Sequence, residues 1–159
     1  MGASGWGMIR IRKSTTADSR TCDYKNVTLD TLRASTRQHK SDVSEALLFF
    51  MNKLHSASYM HDNHKIATIE DFHKAFIGGF EDTTWWEAHR KSERHHLNSP
   101  LGVRKDVNLI DVLEYIADCV MAGMARTGTV YDITIDCVIL QEAFNNTVKM
   151  LKDNVVVVE

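Results

Sequence analysis

Apolar residues recur at helical spacing from residue 32 onward. The first stripe has intervals of seven, four, three, four and four residues, which keep its members on one face of a helix. It consists of Leu32, His39, Val43, Ala46, Phe50 and Leu54. With Asn26 or Thr28 as its cap, this stripe predicts a helix over residues 29–56, with a break near Ser41 and Asp42.

Similar spacing and end signals predict the remaining helices. Thr68 with Asp71 resembles a capping box, Asp106 or Asn108 can begin a helix, and Gly128 can end one. The predicted spans are 58–65, 68–79, 83–96, 106–128 and 133–152. Five or six helices with short connections predict an all-α bundle.

The two ends of the chain differ from this helical pattern. Residues 8–12 alternate apolar and basic side chains, so we expect the N-terminal arm to be either loose or folded into one short edge strand. The apolar, β-branched tail Val155–Val158 could add a strand to a partner or fray. We therefore divide the chain into an arm over 1–26, a helical domain over 27–153 and a tail over 154–159.

Composition narrows the functional classes. The 159 residues are 43% hydrophobic and 25% charged, which is typical of one folded domain. A net charge of −2 disfavours nucleic acid and anionic membranes as partners. The longest apolar run is about five residues, far short of a membrane span, and the N-terminus lacks a signal core. We expect a cytoplasmic protein whose three cysteines, without a Cys-x-x-Cys pair, are reduced and structural.

Histidine is the residue type that suggests chemistry. All eight histidines lie between His39 and His96, and imidazole with carboxylate is a ligand set for Mn, Fe, Co, Ni, Zn or Mg. The candidate metal ligands are His39, His61, Asp62, His89, His95, His96 and Asp118. His39 falls on the apolar stripe, where it is either a ligand or a core histidine bonded to a backbone carbonyl.

Helix geometry leaves several of these roles open. His61 and Asp62 diverge by about 100° on a helix, so they share an ion only with help from elsewhere, and are otherwise a solvated pair. His89 and His96 would be about 10 Å apart along a continuous helix, which suits two ions or a polar exposed face. Asp118 is either exposed to solvent or paired.

The order His, His-Asp, His, His-His, Asp resembles the HD superfamily of metal-dependent phosphohydrolases. His39, His61-Asp62 and Asp118 match its first histidine, its signature doublet and its closing aspartate. The run from His61 to Lys65 resembles the His-Asp-x-x-Lys form of two-metal members, and Trp86-x-x-His89 followed by His-His resembles small bacteriophage HD-like proteins. The short gap from His89 to His95, without a following Gly-Tyr-Pro, departs from the cyclic dinucleotide phosphodiesterases.

This resemblance implies an HD-type bundle that binds one or two divalent ions and hydrolyses a nucleotide phosphate ester by a metal-activated water. Asp62 would orient the water, and Lys65 would neutralise charge on the phosphoryl group. Arg90 and Arg94 would either bind substrate phosphate or form a solvated face. A nucleotidase, a nucleoside triphosphate hydrolase and a cyclic nucleotide phosphodiesterase all fit, in the host cytoplasm if the chain is phage-encoded.

Two other functions stay open at this point. The first is a non-catalytic protein that binds a nucleotide or a host protein on an HD-like scaffold. The second is a metal-stabilised subunit of a homo-oligomer, with Trp85, Trp86 and the 155–158 tail at the contact.

Overall fold

The chain folds mainly into α-helices. The computed structural model describes residues 8–159. Residues 1–7 lie outside the described residues; they include the start of the predicted N-terminal arm and of the segment expected to lack a signal core. Its elements are β1 (Ile9–Arg12), α1 (Leu29–Met60), α2 (Asn63–Ala67), α3 (Ile69–Ile77), α4 (Thr84–Ser92), α5 (Leu109–Thr127), α6 (Cys137–Asp153) and β2 (Val155–Val158). The predicted all-α class is confirmed. Within residues 8–159, every helix is too short or too polar to cross a bilayer.

The described residues form two units. One contains residues up to Asn52 together with 149–159, and the other contains residues 53–148. The division falls within α1 and within α6. All the candidate ligands except His39 belong to the second unit.

A small parallel sheet joins the two ends of the chain in the first unit. Ile9 pairs with Val155 and Arg12 with Val158. The Ile9 amide also donates to the carbonyl of Asn154 at 2.9 Å. Of the two alternatives expected for the arm, the short edge strand is present, and the tail pairs with it within the chain, an outcome different from both fraying and the addition of a strand to a partner.

Helix α1 is longer than predicted. The Thr28 hydroxyl accepts from the Thr31 amide at 3.1 Å, as expected of a cap. The helix then continues through Ser41 and Asp42 to Met60, so the predicted break is wrong. Ser and Asp are tolerated in a helix interior when their side chains reach solvent.

Helix α3 begins directly after Thr68, as predicted, but the side chain of Thr68 makes no capping hydrogen bond: its hydroxyl donates to the carbonyl of His64 at 2.7 Å and accepts from the Trp85 indole at 2.9 Å. Two other predicted helix boundaries are corrected. Helix α4 ends at Ser92 instead of continuing to residue 96, and α6 begins at Cys137 instead of residue 133. Of the two residues predicted to begin α5, Asn108 is the cap, and with Asp111 it forms a capping box; the helix ends at Gly128, as predicted, in the left-handed region.

The segment between α4 and α5 is irregular but firmly held. Leu97 and Val107 are almost fully buried and form a core with Val112 of α5 and Ala143 of α6. In addition, the Asn146 side chain of α6 donates to the Val107 carbonyl at 2.8 Å. This packing fixes the part of the chain that contains His95 and His96.

Candidate metal centre

The chain turns sharply at His61 and Asp62, between α1 and α2. Asp62 has a φ of 54°, in the left-handed region, and Asp tolerates this conformation better than most residues. Because the helix is interrupted here, the two side chains no longer diverge: His61 Nε2 lies 3.8 Å from Asp62 Oδ2. Because of this turn, the side chains of His61 and Asp62 point toward the same place, which they could not do on a continuous helix.

A first group of potential ligands consists of His61, Asp62 and His95, which offer ligand atoms within 4.8 Å of one another. The Nδ1 atoms of both histidines donate to Glu114 Oε1, at 2.9 and 3.0 Å. Because a carboxylate only accepts, Nδ1 carries the proton when each ring is neutral, and Nε2 is then the atom that could bind a cation. Asp118 Oδ1 lies 3.6 Å from His61 Nε2, at the edge of this group.

A second group consists of Asp62, His89 and His96, within the same limit. The rings of His89 and His96 are 4.8 Å apart between centroids, far closer than a continuous helix would allow. His89 is completely buried and stacks on Trp85, at 5.2 Å, and on Trp86, at 5.3 Å. The two tryptophans, themselves half-buried, therefore shield one imidazole from water.

Several buried polar atoms here have no hydrogen-bond partner. Within residues 8–159 these atoms include Asp62 Oδ1, both ring nitrogens of His89 and His96 Nε2. His89 Nε2 is 3.4 Å from Asp62 Oδ1, yet the two atoms form no hydrogen bond. Unsatisfied buried groups are costly, and a divalent cation would satisfy three of these atoms together. The donor set of imidazoles and one carboxylate fits Mn, Fe, Co, Ni or Zn.

Neighbouring hydrogen bonds and positive charge keep the carboxylates of Asp62 and Glu114 ionised. Burial alone would raise the pKa of Asp62, but the hydrogen bond from Lys65 and the positive charge of Lys65 hold that pKa below its usual value. Burial would likewise raise the pKa of Glu114, but hydrogen bonds from His95 and His61 lower it. Each carboxylate is therefore a negative centre at neutral pH.

The histidines divide into two electrostatic classes. Burial lowers the pKa of His89 to about 4, and the positive charge of Lys65 adds to this effect. Burial also lowers the pKa of His96 to about 4. Burial lowers the pKa of His95 too, but the hydrogen bond to Glu114 outweighs burial and raises it. At neutral pH His89 and His96 are thus neutral imidazoles, the form that binds metals.

Arg94 holds the segment before His95 in place. Its guanidinium donates to Asp111 at 2.7 and 2.8 Å and to Asp106 at 2.9 Å. The hydrogen bond to Asp111 raises the pKa of Arg94, against the effect of burial. Asp111 is buried at the start of α5, where it also completes the capping box. Arg94 therefore has a structural role, and because it also lines a small pocket with Arg90 and His96, its predicted contact with substrate phosphate stays a prediction.

The other two cations predicted to bind substrate lie close to the candidate ligands. Lys65 Nζ is 2.5 Å from Asp62 Oδ2. The Arg90 guanidinium lies 4.9 Å from the Trp86 ring centroid and lines a small pocket of about 150 Å³ with His96 and Arg104. Both residues are thus placed where an anion bound beside the histidines could reach them.

His39 is absent from both groups. It belongs to the first unit, is about half exposed, and its Nδ1 lies 3.2 Å from Asp18 Oδ2. The stripe around it is not buried either, since Leu32 and Val43 are 38% and 42% exposed. The prediction that the candidate ligand His39 is buried is wrong. Helical spacing shows which residues share one face of a helix, but it does not show whether other residues cover that face.

Two acidic residues at the centre were missed from sequence. Glu114 lies one turn before Asp118 on the same face of α5, and this i, i+4 spacing of acids was a usable signal. Glu93 had no such signal: its side chain accepts from the His64 amide at 2.8 Å and so ties the end of α4 to α2.

The fold and these two groups define the chain as a helical protein with buried His/Asp clusters that could hold a metal ion. Comparison of the chain with protein-family models, with curated proteins and with solved structures finds no match.

Proposed function

We propose that this protein is a metal-dependent phosphohydrolase that cleaves a phosphate ester in a nucleotide or small signalling nucleotide. The observation that carries this proposal is the position of Asp62, the one residue common to both ligand groups. A single carboxylate between two imidazole pairs suits two adjacent cations, an arrangement used widely for phosphoryl transfer.

The reaction would join a water oxygen to phosphorus and break the phosphorus–oxygen ester bond, giving phosphate and an alcohol. Divalent ions, when bound, acidify water and neutralise the negative charge that builds on the phosphoryl oxygens. Lys65, beside Asp62, would contribute further positive charge to the same oxygens. The leaving oxygen takes up the proton that water loses.

The surrounding residues would keep the centre in its reactive form. Glu114 fixes the tautomers of His61 and His95 by accepting from both Nδ1 atoms. Trp85 and Trp86 cover His89 and exclude water around it. The low pKa of His89 and His96 leaves both rings neutral over the physiological range.

The experiment is a panel of nucleoside mono-, di- and triphosphates and cyclic nucleotides, with Mn²⁺ or Co²⁺ added to chelator-treated protein. We expect phosphate or nucleotide products with at least one member, and loss of turnover when the metal is withheld. Metal content is measured in parallel by mass spectrometry.

Two outcomes would contradict the proposal. Protein that takes up no metal and leaves every nucleotide intact is not a metal-dependent hydrolase. Protein that retains a nucleotide tightly, with metal bound and without turnover, is instead the non-catalytic binding protein.

A further inference from the structure

An apolar groove lies directly beside the first ligand group. It has a volume of about 450 Å³ and lies entirely in the second unit, between the end of α1 and one face of α5. Its apolar walls are formed by Leu54, Ala57, Leu113, Ala117, Met121 and Ala122. This volume falls within the range of small-molecule sites, about 300–1,000 Å³.

The groove is continuous with the candidate metal centre. His61, a member of the first group, forms part of its lining, together with Glu114, which accepts from His61 and His95, and Asp118, which lies 3.6 Å from His61. A molecule whose phosphate lies at Asp62 and Lys65 could therefore place its other end in the groove.

The chemistry of the groove favours a ring over a phosphate. Its polar lining residues are Ser58 and the three at the metal end, two of which are carboxylates that would repel an anion. Cations line a different pocket, with Arg90 and Arg104, which meets the second group at His96 and shares no residue with the groove. The two cavities thus give the site an apolar side and a basic side.

The walls also expose large apolar side chains to water. Met121 is 67% exposed and Leu113 is 48% exposed, on the same face of α5. A flat ring laid against them would remove apolar surface from water, which contributes about 25 cal/mol per Å² buried. The ring would need few hydrogen bonds to bind there.

Resting on the proposed function, we propose that this groove binds the base of the substrate nucleotide by apolar contact, without reading its hydrogen-bonding edge. Ser58 is the single polar side chain of the groove away from the metal end. The groove therefore offers few hydrogen-bonding groups that could distinguish one base from another. Apolar pockets discriminate between similar groups by roughly 10- to 200-fold at most.

The consequence is a distinct pattern of substrate preference. Nucleoside monophosphates with the four common bases should be hydrolysed with kcat/KM values within about tenfold of one another. Ribose 5-phosphate, which has the same ester but no base, should be poorer by about tenfold or more, because it cannot fill the groove.

The test fills the groove with a large side chain. Ala117 is exposed on the wall, so Ala117→Trp can be accommodated without disturbing the core. Ala125 is exposed on the same helix outside the groove, and Ala125→Trp is the matched control. We expect A117W to reduce the preference for a nucleoside monophosphate over ribose 5-phosphate to about one, while A125W keeps the wild-type ratio. Equal use of both substrates by the wild type, or a ratio unchanged in A117W, would overturn the proposal.

A binding measurement separates this proposal from the proposed function. Adenosine and uridine, which have a base but no phosphate, should shift the methyl NMR signal of Met121 and leave that of Met124, exposed elsewhere on α5. This shift supports the groove even if no nucleotide is hydrolysed. A Met121 signal that neither nucleoside moves would overturn the proposal even if hydrolysis is found.

Discussion

Asp62→Asn should abolish metal binding at both ligand groups and reduce hydrolysis by roughly a thousandfold. The substitution keeps the shape of the side chain but removes the negative charge, and Asp62 is the one residue that the groups share. Loss of about 4 kcal/mol of transition-state stabilisation corresponds to that factor. The measurement is metal content per chain together with kcat/KM on the best nucleotide of the panel.

The matched control is Asp71→Asn, which removes one negative charge from an exposed position on α3 in the same unit. This variant should retain metal and activity within about twofold, since surface charges contribute little. An Asp62→Asn protein that binds as much metal as the wild type would contradict a shared carboxylate. Full activity in that variant would contradict the hydrolase itself.

Arg94→Met should lower the free energy of unfolding by about 3 kcal/mol. The substitution keeps much of the apolar stem but leaves the buried carboxylate of Asp111 without its cation. An unpaired buried charge costs far more than the pair contributes, which is why removal of one partner is so destabilising. Urea denaturation monitored by tryptophan fluorescence measures the change.

Arg104→Met is the control for this prediction. Arg104 donates to Asp106 at 3.1 Å in an exposed pair, so its loss should cost at most about 1 kcal/mol. In the double variant Arg94→Met, Asp111→Asn, part of the lost stability should return, because the buried charge is gone. A loss below 1 kcal/mol in Arg94→Met would show that this ion pair does not hold the segment before His95.

The sequence predicted best where local signals decide the structure. Helix α5 has its cap at Asn108, its apolar face and its terminal Gly128 within one continuous stretch, and each signal depends on near neighbours alone. The pairing of the two terminal strands could not be read this way, because it joins residues far apart in the chain.

The candidate site was harder to predict because two interruptions of helix create it. The turn at Asp62 and the end of α4 at Ser92 bring together rings that continuous helices would keep apart. The second interruption is held by the contact of Arg94 with Asp111, seventeen residues later, which no local pattern reveals. The order of His and Asp residues along the chain identified most of the candidate ligands. Contacts between distant residues determine how these ligands are arranged.

At His39 the error is of another kind, because a local pattern named a candidate ligand that is absent from both ligand groups. Its spacing placed it on the apolar stripe of α1, and a histidine there suggested a buried ligand. The residues of the stripe do share one face of α1, but His39 is exposed on that face and contacts Asp18. Glu114, in contrast, stands one turn from the named candidate Asp118; this spacing was a usable signal, and the role of Glu114 is defined by the hydrogen bonds that both histidines donate to it.

The most direct test of the metal centre is anomalous diffraction from crystals grown with Mn²⁺ or Co²⁺. We expect anomalous peaks about 2.0–2.3 Å from Asp62 oxygen atoms, one shared with His89 and His96 and one with His61 and His95. Crystals saturated with metal that show no peak within bonding distance of Asp62 would contradict this expectation.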